Sequence, residues 1–405
     1  MNMAKIQALV ERSKAGFYQI PRNIGPLDLL ILQPTPFCNL DCKYCYLPER
    51  SSTKKMKFSV LECILNRVFE SNLVENHFSI VWHAGEPLVP GIDYYQKAFE
   101  IIEQIKPSGI DIHHSIQTNG VLIDDDWCRF FRDHSINIGV SVDGPAFIHD
   151  RYRHTRTGLG THHLVQQGID NLHSNNIPFH TISVLTDYSI NHPEAMFNYF
   201  LENGITQCGF NIEEIEGVNQ HSSLSVYDIK DRVSIFFREF LRLNEEHGFP
   251  LCVRELDGAK SVILNWRKEA PDWLSTRQEL VPYKIITVDC DGNFSTFSPE
   301  LVGAKTLSGN SFILGNVFDI SLLDATKTKW FKEIYGSIAA GVKKCKSGCQ
   351  YYSFCGGGAP SNKYFEQDTF NCDETLFCQL HIQIPLAVTL DYMESQIMEE
   401  QVRSE

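Results

Sequence analysis

The sequence predicts an α/β protein, a partial (β/α)6 barrel followed by a cysteine-rich C-terminal domain. Between residues 27 and 212, short apolar runs alternate about six times with segments of helical spacing, which is typical of a parallel sheet covered by helices. From about residue 285 the chain becomes rich in glycine and cysteine, which indicates a second domain. Ligands of such sheets bind at the carboxyl ends of the strands, so functional residues are expected there.

The predicted strands are apolar runs, many of which end in turn-forming residues. In chain order they are Leu27–Gln33, Phe78–His83, Ile110–Gln117, Ile136–Val142, Phe179–Leu185 and Cys208–Ile212. The segments between them repeat apolar residues at helical spacing. These predicted helices are Ser59–Asn72, Asp93–Ile105, Asp125–Asp133, His163–Ser174 and His192–Glu202.

Changes in composition predict four parts of the chain. Residues 1–24 form an N-terminal extension, and residues 25–218 form the barrel. Residues 219–284 are a linker or cap of charged helices, and residues 285–405 are the cysteine-rich domain, which ends in a helix.

Composition excludes several classes of protein. With 43% hydrophobic and 21% charged residues, the 405-residue chain is not a disordered, collagen-like or coiled-coil protein. A net charge of −14 and the lack of a basic block argue against nucleic-acid binding. No apolar run is long enough to cross a membrane, and the N-terminus lacks the apolar centre of a secretory signal. We therefore expect a cytoplasmic protein.

The thirteen cysteines are the most informative residues. In a reducing cytosol, cysteines at short spacing more often bind metal than form disulfides. One group contains Cys38, Cys42 and Cys45, and a second contains Cys345, Cys349, Cys355, Cys372 and Cys378. The five solitary cysteines are expected to be small buried apolar residues.

The first cysteine group supplies three thiolates from one loop after the first strand. Four thiolates would close a structural zinc site, whereas three leave one position of an iron–sulfur cube open for another ligand. A zinc site completed by a distant histidine remains an alternative. Tyr44 lies inside the group, either to shield a cluster or contact a ligand, or as a packed loop aromatic.

The pattern Cys38-x-x-x-Cys42-x-Tyr44-Cys45 after the first strand resembles the signature of radical S-adenosylmethionine (radical SAM) enzymes, which have a TIM-like partial barrel. The resemblance implies a [4Fe-4S] cluster whose open iron chelates SAM. It also implies cleavage of SAM to methionine and a 5′-deoxyadenosyl radical, which abstracts a hydrogen atom.

Motifs at the ends of the next strands resemble SAM-binding segments of the same superfamily. They are Trp82–Pro87, in which Ala84 replaces the usual first glycine, Gln117–Gly120 and Ser141–Pro145. Arg153 falls where related enzymes bind the SAM carboxylate, with Arg151 and Arg156 as alternatives. The resemblance implies SAM contacts from Tyr44, Gly85, Glu86, Gln117, Ser141 and Arg153.

The second cysteine group resembles the SPASM domain, which carries auxiliary iron–sulfur clusters in peptide-modifying radical SAM enzymes. Phe297 or Ser298 stands where relatives have a cysteine, and Ala359–Pro360 where another is common. We therefore expect one auxiliary [4Fe-4S] cluster rather than two, with zinc as the alternative. Its expected ligands are Cys345, Cys349, Cys355 and either Cys372 or Cys378, of which Cys378 is preferred.

Three further segments, Thr296–Leu301, Tyr351–Lys363 and Glu374–Cys378, resemble the cyclophane-forming maturases of the GrrM type. The resemblance implies a precursor-peptide substrate, a carbon–carbon crosslink between an aromatic side chain and a nearby Cβ, and an electron donor such as flavodoxin or ferredoxin. The reaction needs a base, for which Glu300 and Asp291 are candidates, although a solvated turn carboxylate is the favoured interpretation of each. A sulfatase-maturase-like enzyme, a thioether-forming maturase and a zinc-binding scaffold remain alternatives.

Overall fold

The computed structural model describes residue 21 and residues 23–266, 272–306 and 309–404. The predicted N-terminal extension, residues 1–24, lies almost entirely outside the described residues.

The described strands form one sheet in the order β10-β9-β8-β1-β2-β3-β4-β5-β6-β7. Strands β1 to β7 are parallel to their neighbours, as is the pair β1 and β8, whereas β9 and β10 are antiparallel. The first six are β1 Leu29–Leu32, β2 His77–Trp82, β3 Asp111–Thr118, β4 Asn137–Ser141, β5 Phe179–Leu185 and β6 Gln207–Ile212. The others are β7 Cys252–Val253, β8 Ile285–Val288, β9 Asn293–Thr296 and β10 Gly315–Asn316.

Helices connect successive strands, so the predicted α/β alternation is confirmed. Those of the barrel are α1 Phe58–Glu70, α2 Ile92–Ile105, α3 Asp125–Asp133, α4 Ala146–Tyr152, α5 His162–Ser174 and α6 Pro193–Glu202. The helices between the barrel and β8 are α7 Ile229–Glu246, α8 Arg254–Leu264 and α9 Trp273–Thr276. Those after β10 are α10 Leu322–Ala325, α11 Lys329–Gly348, α12 Tyr352–Cys355, α13 Pro360–Gln367 and α14 Ile384–Ser404, which follows a π-helical turn, Cys378–Gln383.

Apolar periodicity determines which face of each helix is buried. Helix α1 buries Val60, Leu61, Ile64, Leu65 and Val68, which recur every three or four residues and face the sheet. Parallel strands covered on both faces have nearly continuous apolar sequences, and all four residues of β8 and the three central residues of β4 are buried for this reason.

The sheet continues across residue 285, the predicted start of the C-terminal domain. Strand β8 pairs in parallel with β1, from Leu29 opposite Ile285 to Leu32 opposite Val288. The carboxyl end of β8 therefore lies beside that of β1. The four-part division of the chain stays a prediction.

A search of the described helices for one that is both long enough and apolar enough to span a bilayer finds none.

Candidate functional site

The first cysteine group lies in a loop that is fixed to the segment after α4. Asp41 N donates a hydrogen bond to His154 O (2.8 Å), and Lys43 N donates to Tyr152 O (2.9 Å). Both contacts involve residues between the cysteines of the group, so the backbone of this loop is ordered by the protein itself. These two bonds fix the loop that carries the three thiols.

Arg156, an alternative to Arg153 at the SAM site, instead contacts the same loop. Its Nη1 donates to Cys38 O at 2.7 Å and to Arg50 O at 3.0 Å. Arg151 lies over the ring of Tyr188, 4.3 Å from its centroid. Of the three arginines, only Arg153 is buried.

Burial keeps the three thiols of this loop in their protonated form. Withdrawal from solvent raises the pKa of Cys38 to about 12 and that of Cys42 to about 11, and it raises the pKa of Cys45 as well. The thiols also raise one another's pKa, so they lie close together. A metal group must displace these protons on binding.

The chemistry of these donors fits an iron–sulfur cluster. Among the residues that the structure describes, no three His, Cys, Asp or Glu side chains converge closely enough to hold a single metal ion. An iron–sulfur cube spreads its thiolates over several metal atoms, so it suits a group of three or four neighbouring cysteine thiols.

Asp143, just after β4, is the centre of a buried polar network beside the cysteine loop. Its carboxylate accepts hydrogen bonds from Arg153 Nε (2.9 Å) and Nη2 (3.0 Å), from Val184 N (2.9 Å) and from the Tyr44 hydroxyl. Burial alone would raise the pKa of Asp143, but the adjacent Arg153 guanidinium holds it below its ordinary value. The sequence interpretation named Arg153 and Tyr44 and missed Asp143, although Asp143 lies in the Ser141–Pro145 motif.

This network limits how Arg153 could bind SAM. Two of its three guanidinium nitrogens already donate to Asp143, and Nη1 is the one without a hydrogen bond among the described residues. A contact with the SAM carboxylate through Nη1 stays a prediction, and the network shows what orients the guanidinium for it.

The loop after β2 packs against the segment that leads into the cysteines. Gly85 has φ +59°, and a Cβ on it would lie 2.4 Å from Thr35 O and 2.6 Å from Phe37 O. Only glycine permits this approach of two backbones. Ala84, which replaces the usual glycine of the motif, also adopts the left-handed conformation, with φ 72°.

Glu86 joins the ends of β2 and β3 and is 1% exposed. Its carboxylate accepts hydrogen bonds from Thr118 Oγ1 (2.6 Å), Asn119 N (2.8 Å) and Leu88 N (3.0 Å). Burial raises the pKa of Glu86 to about 7 despite these bonds. The observed contacts are structural, and the predicted contact with the SAM ammonium group remains a prediction.

Gln117 and Ser141 connect the ends of β3 and β4. Gln117 Nε2 donates to Ser141 Oγ at 3.1 Å, and a Cβ on Gly139 would lie 2.1 Å from Gln117 Oε1. Asn119 Nδ2 donates to Asn39 Oδ1 at 2.7 Å and so ties the end of β3 to the cysteine loop. The structure thus brings the predicted SAM-contact residues together at one edge of the sheet.

A cavity of about 500 Å³ adjoins the cysteine loop, and Tyr46, Glu216 and Glu300 line it. Tyr46 directly follows Cys45, and its hydroxyl lies 3.3 Å from His83 Nε2. The backbone of Tyr46 accepts a hydrogen bond from Val218 N at 3.0 Å, which fixes the loop after β6 beside it.

Three glutamates form the acidic wall of this region, and each has a raised pKa because it is withdrawn from solvent. Burial, with a smaller effect of Glu300, raises the pKa of Glu214 to about 8 and that of Glu216 well above its ordinary value. Burial raises the pKa of Glu300 itself to about 7. The sequence interpretation identified Glu300 but missed Glu214 and Glu216, although acidic residues directly follow β6 at the edge where ligands bind.

The second predicted base, Asp291, lies apart from this cavity. Its side chain is 55% exposed in the turn between β8 and β9, and it pairs with Lys54 Nζ at 2.8 Å. This is the solvated turn carboxylate of the alternative interpretation, so the geometry favours Glu300.

The second cysteine group gathers around the end of α11. Burial raises the pKa of Cys345, and Cys355 and Cys349 raise it further, so these thiols are close together. The pKa of Cys378 is raised in part by Cys355, whereas the pKa of Cys372 is raised in part by Cys345. Both candidates for the fourth ligand are thus near a member of the group, and the choice of Cys378 over Cys372 stays a prediction.

Lys363 is a buried cation beside this second group that sequence reasoning did not identify as functional. It is 5% exposed, and its Nζ lies 3.3 Å from Cys345 Sγ. The neighbouring residue on α13, Asn362, donates a hydrogen bond from Nδ2 to the Glu214 carboxylate. Helix α13 therefore contacts both the second cysteine group and the acidic wall.

Phe297, where relatives have a cysteine, is part of an aromatic core. It is 1% exposed with φ 79°, and its ring stacks on those of Phe331 and Tyr335 at centroid distances of 6.3 and 6.4 Å. The adjacent Ser298 Oγ is buried without a partner among the described residues. A metal group does not fit the residues present here.

Comparison with known proteins defines the class of protein first. Residues 32–200 match the family model of the Radical SAM superfamily, a range that includes the first cysteine group and β1 to β5. This part of the chain is therefore a Radical SAM domain.

Two curated relatives are similar to this chain in sequence. The uncharacterized protein sll1766 of Synechocystis sp. is 39% identical over 93% of this chain and 94% of its own length. A serine-type anaerobic sulfatase-maturating enzyme of Klebsiella aerogenes is 33% identical over 47% of each chain. The chain is thus homologous to the anaerobic sulfatase maturases over about half its length.

Solved structures share the fold over most of the chain. anSMEcpe with bound AdoMet and Cp18Cys peptide has a TM-score of 0.72 at 22% identity, over 93% of this chain and 99% of that one. Streptococcus suis SuiB bound to the precursor peptide SuiA has a TM-score of 0.61 at 17% identity, over 93% of this chain and 80% of that one. These similarities establish the radical SAM α/β fold.

Proposed function

We propose that this protein is a radical SAM maturase that crosslinks a ribosomally made precursor peptide. The proposed product is a cyclophane, formed by a carbon–carbon bond between an aromatic side chain and the Cβ of a nearby residue, as in the GrrM-type enzymes. The observation that carries the proposal is the convergence, at one edge of the sheet, of the three-thiol loop and the polar ends of β2, β3 and β4. The peptides bound in anSMEcpe and SuiB support a peptide substrate.

Two metal groups are required in this proposal. Cys38, Cys42 and Cys45 would hold a [4Fe-4S] cluster that binds SAM, and Cys345, Cys349, Cys355 and Cys378 would hold one auxiliary cluster. When bound, the first cluster and SAM supply the radical that removes a hydrogen atom, and the auxiliary cluster supplies an electron acceptor. The aromatic core around Phe297 supports a single auxiliary cluster rather than two.

The residues of the chain have separate roles. Asp143 positions Arg153 and Tyr44 beside the cysteine loop, and Glu86 holds the ends of β2 and β3 in register. Crosslinking replaces one C–H bond on each partner with a C–C bond, so one hydrogen atom, one proton and one electron leave the peptide. Glu300, in the cavity beside Cys45, is the proposed acceptor of that proton, because a pKa of about 7 suits a base at neutral pH. A flavodoxin or ferredoxin is the proposed electron donor for SAM cleavage.

Oxidation of a serine or cysteine side chain to an aldehyde, as a sulfatase maturase would perform, is the second candidate. The identity to the Klebsiella enzyme favours it. The core around Phe297 weighs against it, because such enzymes should normally keep both auxiliary clusters.

Anaerobic coexpression with a short peptide encoded beside this gene tests the proposal. We expect 5′-deoxyadenosine and a peptide that has lost two hydrogen atoms for each crosslink. Serine oxidation removes the same mass, so the peptide must also be treated with an aldehyde-reactive hydroxylamine and sequenced by tandem mass spectrometry. A crosslink gives no adduct and suppresses cleavage between the joined residues, whereas an aldehyde gives an adduct.

Cysteine variants provide the controls. Replacing Cys38, Cys42 or Cys45 by Ala should abolish both 5′-deoxyadenosine and crosslink, whereas Cys252→Ala, at an exposed solitary cysteine, should leave both unchanged. Product formation by the Cys38→Ala variant would refute the mechanism.

A further inference from the structure

Glu216 has an unusual position for a carboxylate. It is 6% exposed, and its carboxylate has no hydrogen-bond or ion-pair partner among the described residues, yet it lines the cavity beside Tyr46. A buried carboxylate is costly unless it is paired or protonated. The unpaired group that faces a cavity therefore points to a missing partner within that cavity.

The rest of the cavity supplies no such partner. In the described part of the chain, neither Glu214 nor Glu300 forms an ion pair, and Glu214 accepts its side-chain hydrogen bond from the neutral Asn362. Lys305, which also lines the cavity, is exposed and forms no ion pair with these carboxylates among the described residues, and the ammonium group of Lys363 is at Cys345 instead. Asp368 adds a further carboxylate to the lining. Among the described residues, the carboxylate of Glu216 therefore has no cationic partner in the cavity.

We propose that this cavity binds a cationic side chain, lysine or arginine, of the precursor peptide, whose charge is paired with Glu216. This inference rests on the proposed peptide-maturase function and adds the charge of one substrate residue to it. The cavity, at about 500 Å³, has the size of small-ligand pockets and can accept a long side chain. A guanidinium or ammonium group there would satisfy carboxylates that are otherwise buried without a counter-ion.

The bound cation also affects Glu300. Without it, burial and the neighbouring carboxylates favour the protonated forms of all three glutamates. A cation between them favours the ionised forms, so binding releases protons and leaves Glu300 ready to accept one. The site thus links binding of the peptide to the protonation state of Glu300, the proposed base.

A pair of small probes tests the site without knowledge of the natural peptide. N-acetyl-arginine methylamide and N-acetyl-citrulline methylamide have nearly the same shape but differ in charge. Anaerobic calorimetry with the full-length, cluster-loaded protein at pH 8 should show about ten-fold tighter binding of the arginine probe. Equal binding of the two probes, or no binding of either, would overturn the proposal.

Two variants assign the preference to this cavity. Glu216→Gln should reduce the preference for arginine to less than about two-fold, whereas Glu70→Gln, an exposed glutamate at the end of α1, should retain it. A preference that survives in Glu216→Gln would overturn the assignment. If that variant does not fold, the pH dependence of binding to the wild-type protein tests the proposal instead. Affinity for the arginine probe should rise between pH 6 and pH 8.5, while affinity for the citrulline probe stays constant. A constant arginine affinity also overturns the proposal.

The outcomes separate this inference from the proposed function. If the peptide is crosslinked but the protein shows no preference between the two probes, the cation site is refuted and the maturase function stands. If no 5′-deoxyadenosine is formed, the proposed function is refuted, whichever probe binds.

Discussion

At the scale of single residues, Asp143 holds the candidate site together through a buried ion pair with Arg153. Both side chains are at most 8% exposed, and the two bonds that join them are 2.9 and 3.0 Å long. Removing one partner of a buried pair leaves the other charge without compensation, which is more costly than the loss of the bonds alone.

We therefore predict that Asp143→Asn lowers the free energy of unfolding by about 3–5 kcal/mol. Asp291→Asn, which breaks the exposed pair with Lys54, should cost about 0–1 kcal/mol and is the matched control. Anaerobic urea unfolding of both variants measures the difference. Equal stability of the two would show that the buried pair does not hold the site together.

The three glutamates of the acidic wall give the second residue-scale prediction. Their pKa values are raised in the folded chain, so between about pH 4.5 and pH 8 the folded state binds more protons than the unfolded state. Their contribution to stability therefore falls as the pH rises through this range. Glu216→Gln removes one of them and should be close to wild type in its free energy of unfolding at pH 5 but more stable than wild type at pH 8. The free energy of unfolding of both proteins is measured by urea unfolding at each pH, without peptide. If it changes with pH in the same way for the variant and the wild type, this assignment is contradicted.

At the scale of secondary-structure elements and their connections, the loop after β2 contains two consecutive residues in the left-handed conformation. The two differ in whether a side chain is sterically possible at that position. Ala84 pays a conformational cost because its side chain disfavours φ 72°, whereas Gly85 is required because two carbonyl oxygens occupy the space of a Cβ.

Opposite effects are therefore expected from two adjacent substitutions. Ala84→Gly should stabilise the fold by about 1 kcal/mol, because it removes the left-handed strain. Gly85→Ala should destabilise it by about 2 kcal/mol or more and lower the iron content, because it pushes the loop away from Thr35 and Phe37. Urea unfolding and iron analysis measure both effects. If Gly85→Ala keeps full iron content and stability, the close approach of the loops is not required.

The elements that the sequence predicted well are those with strong local patterns. Strand β5 and helix α3 have the predicted bounds, because β5 is rich in apolar and β-branched residues and α3 has a clear amphipathic repeat. Helix α4 was missed, since seven residues with two buried side chains give too short a repeat to detect. Its end nevertheless supplies contacts to the cysteine loop.

The candidate site was predictable to the extent that its residues lie in contiguous motifs. The cysteines and the segments after β2, β3 and β4 were found in this way. The acidic wall was not, because Glu214 and Glu216 meet Glu300 only when the loop after β6 folds beside the segment after β9. The ion pair of Asp143 with Arg153 likewise depends on the path of the chain through α4.

At the scale of the whole molecule, the sheet joins regions that the sequence interpretation separated. Strand β1, which leads into the cysteine loop, has β2 on one side and β8 on the other. Without β8, which begins at residue 285, β1 would be an edge strand. Strand β9 then extends the sheet from β8. The barrel and the cysteine-rich part therefore share one hydrogen-bonded framework, and the position of the first cysteine group depends on both.

This continuity predicts that the barrel does not fold when it is cut at the predicted boundary. A fragment that ends at residue 284 lacks β8 and leaves the edge of β1 unpaired, and an exposed apolar edge strand promotes aggregation. We expect this fragment to be insoluble or aggregated by size-exclusion chromatography. Removal of the end of α14 after residue 398, where Val402 is exposed, is the matched control and should leave the chain monodisperse. A monodisperse 1–284 fragment with the thermal stability of the full chain would show instead that the barrel is an independent domain, and that β8 only docks on a sheet that is already complete.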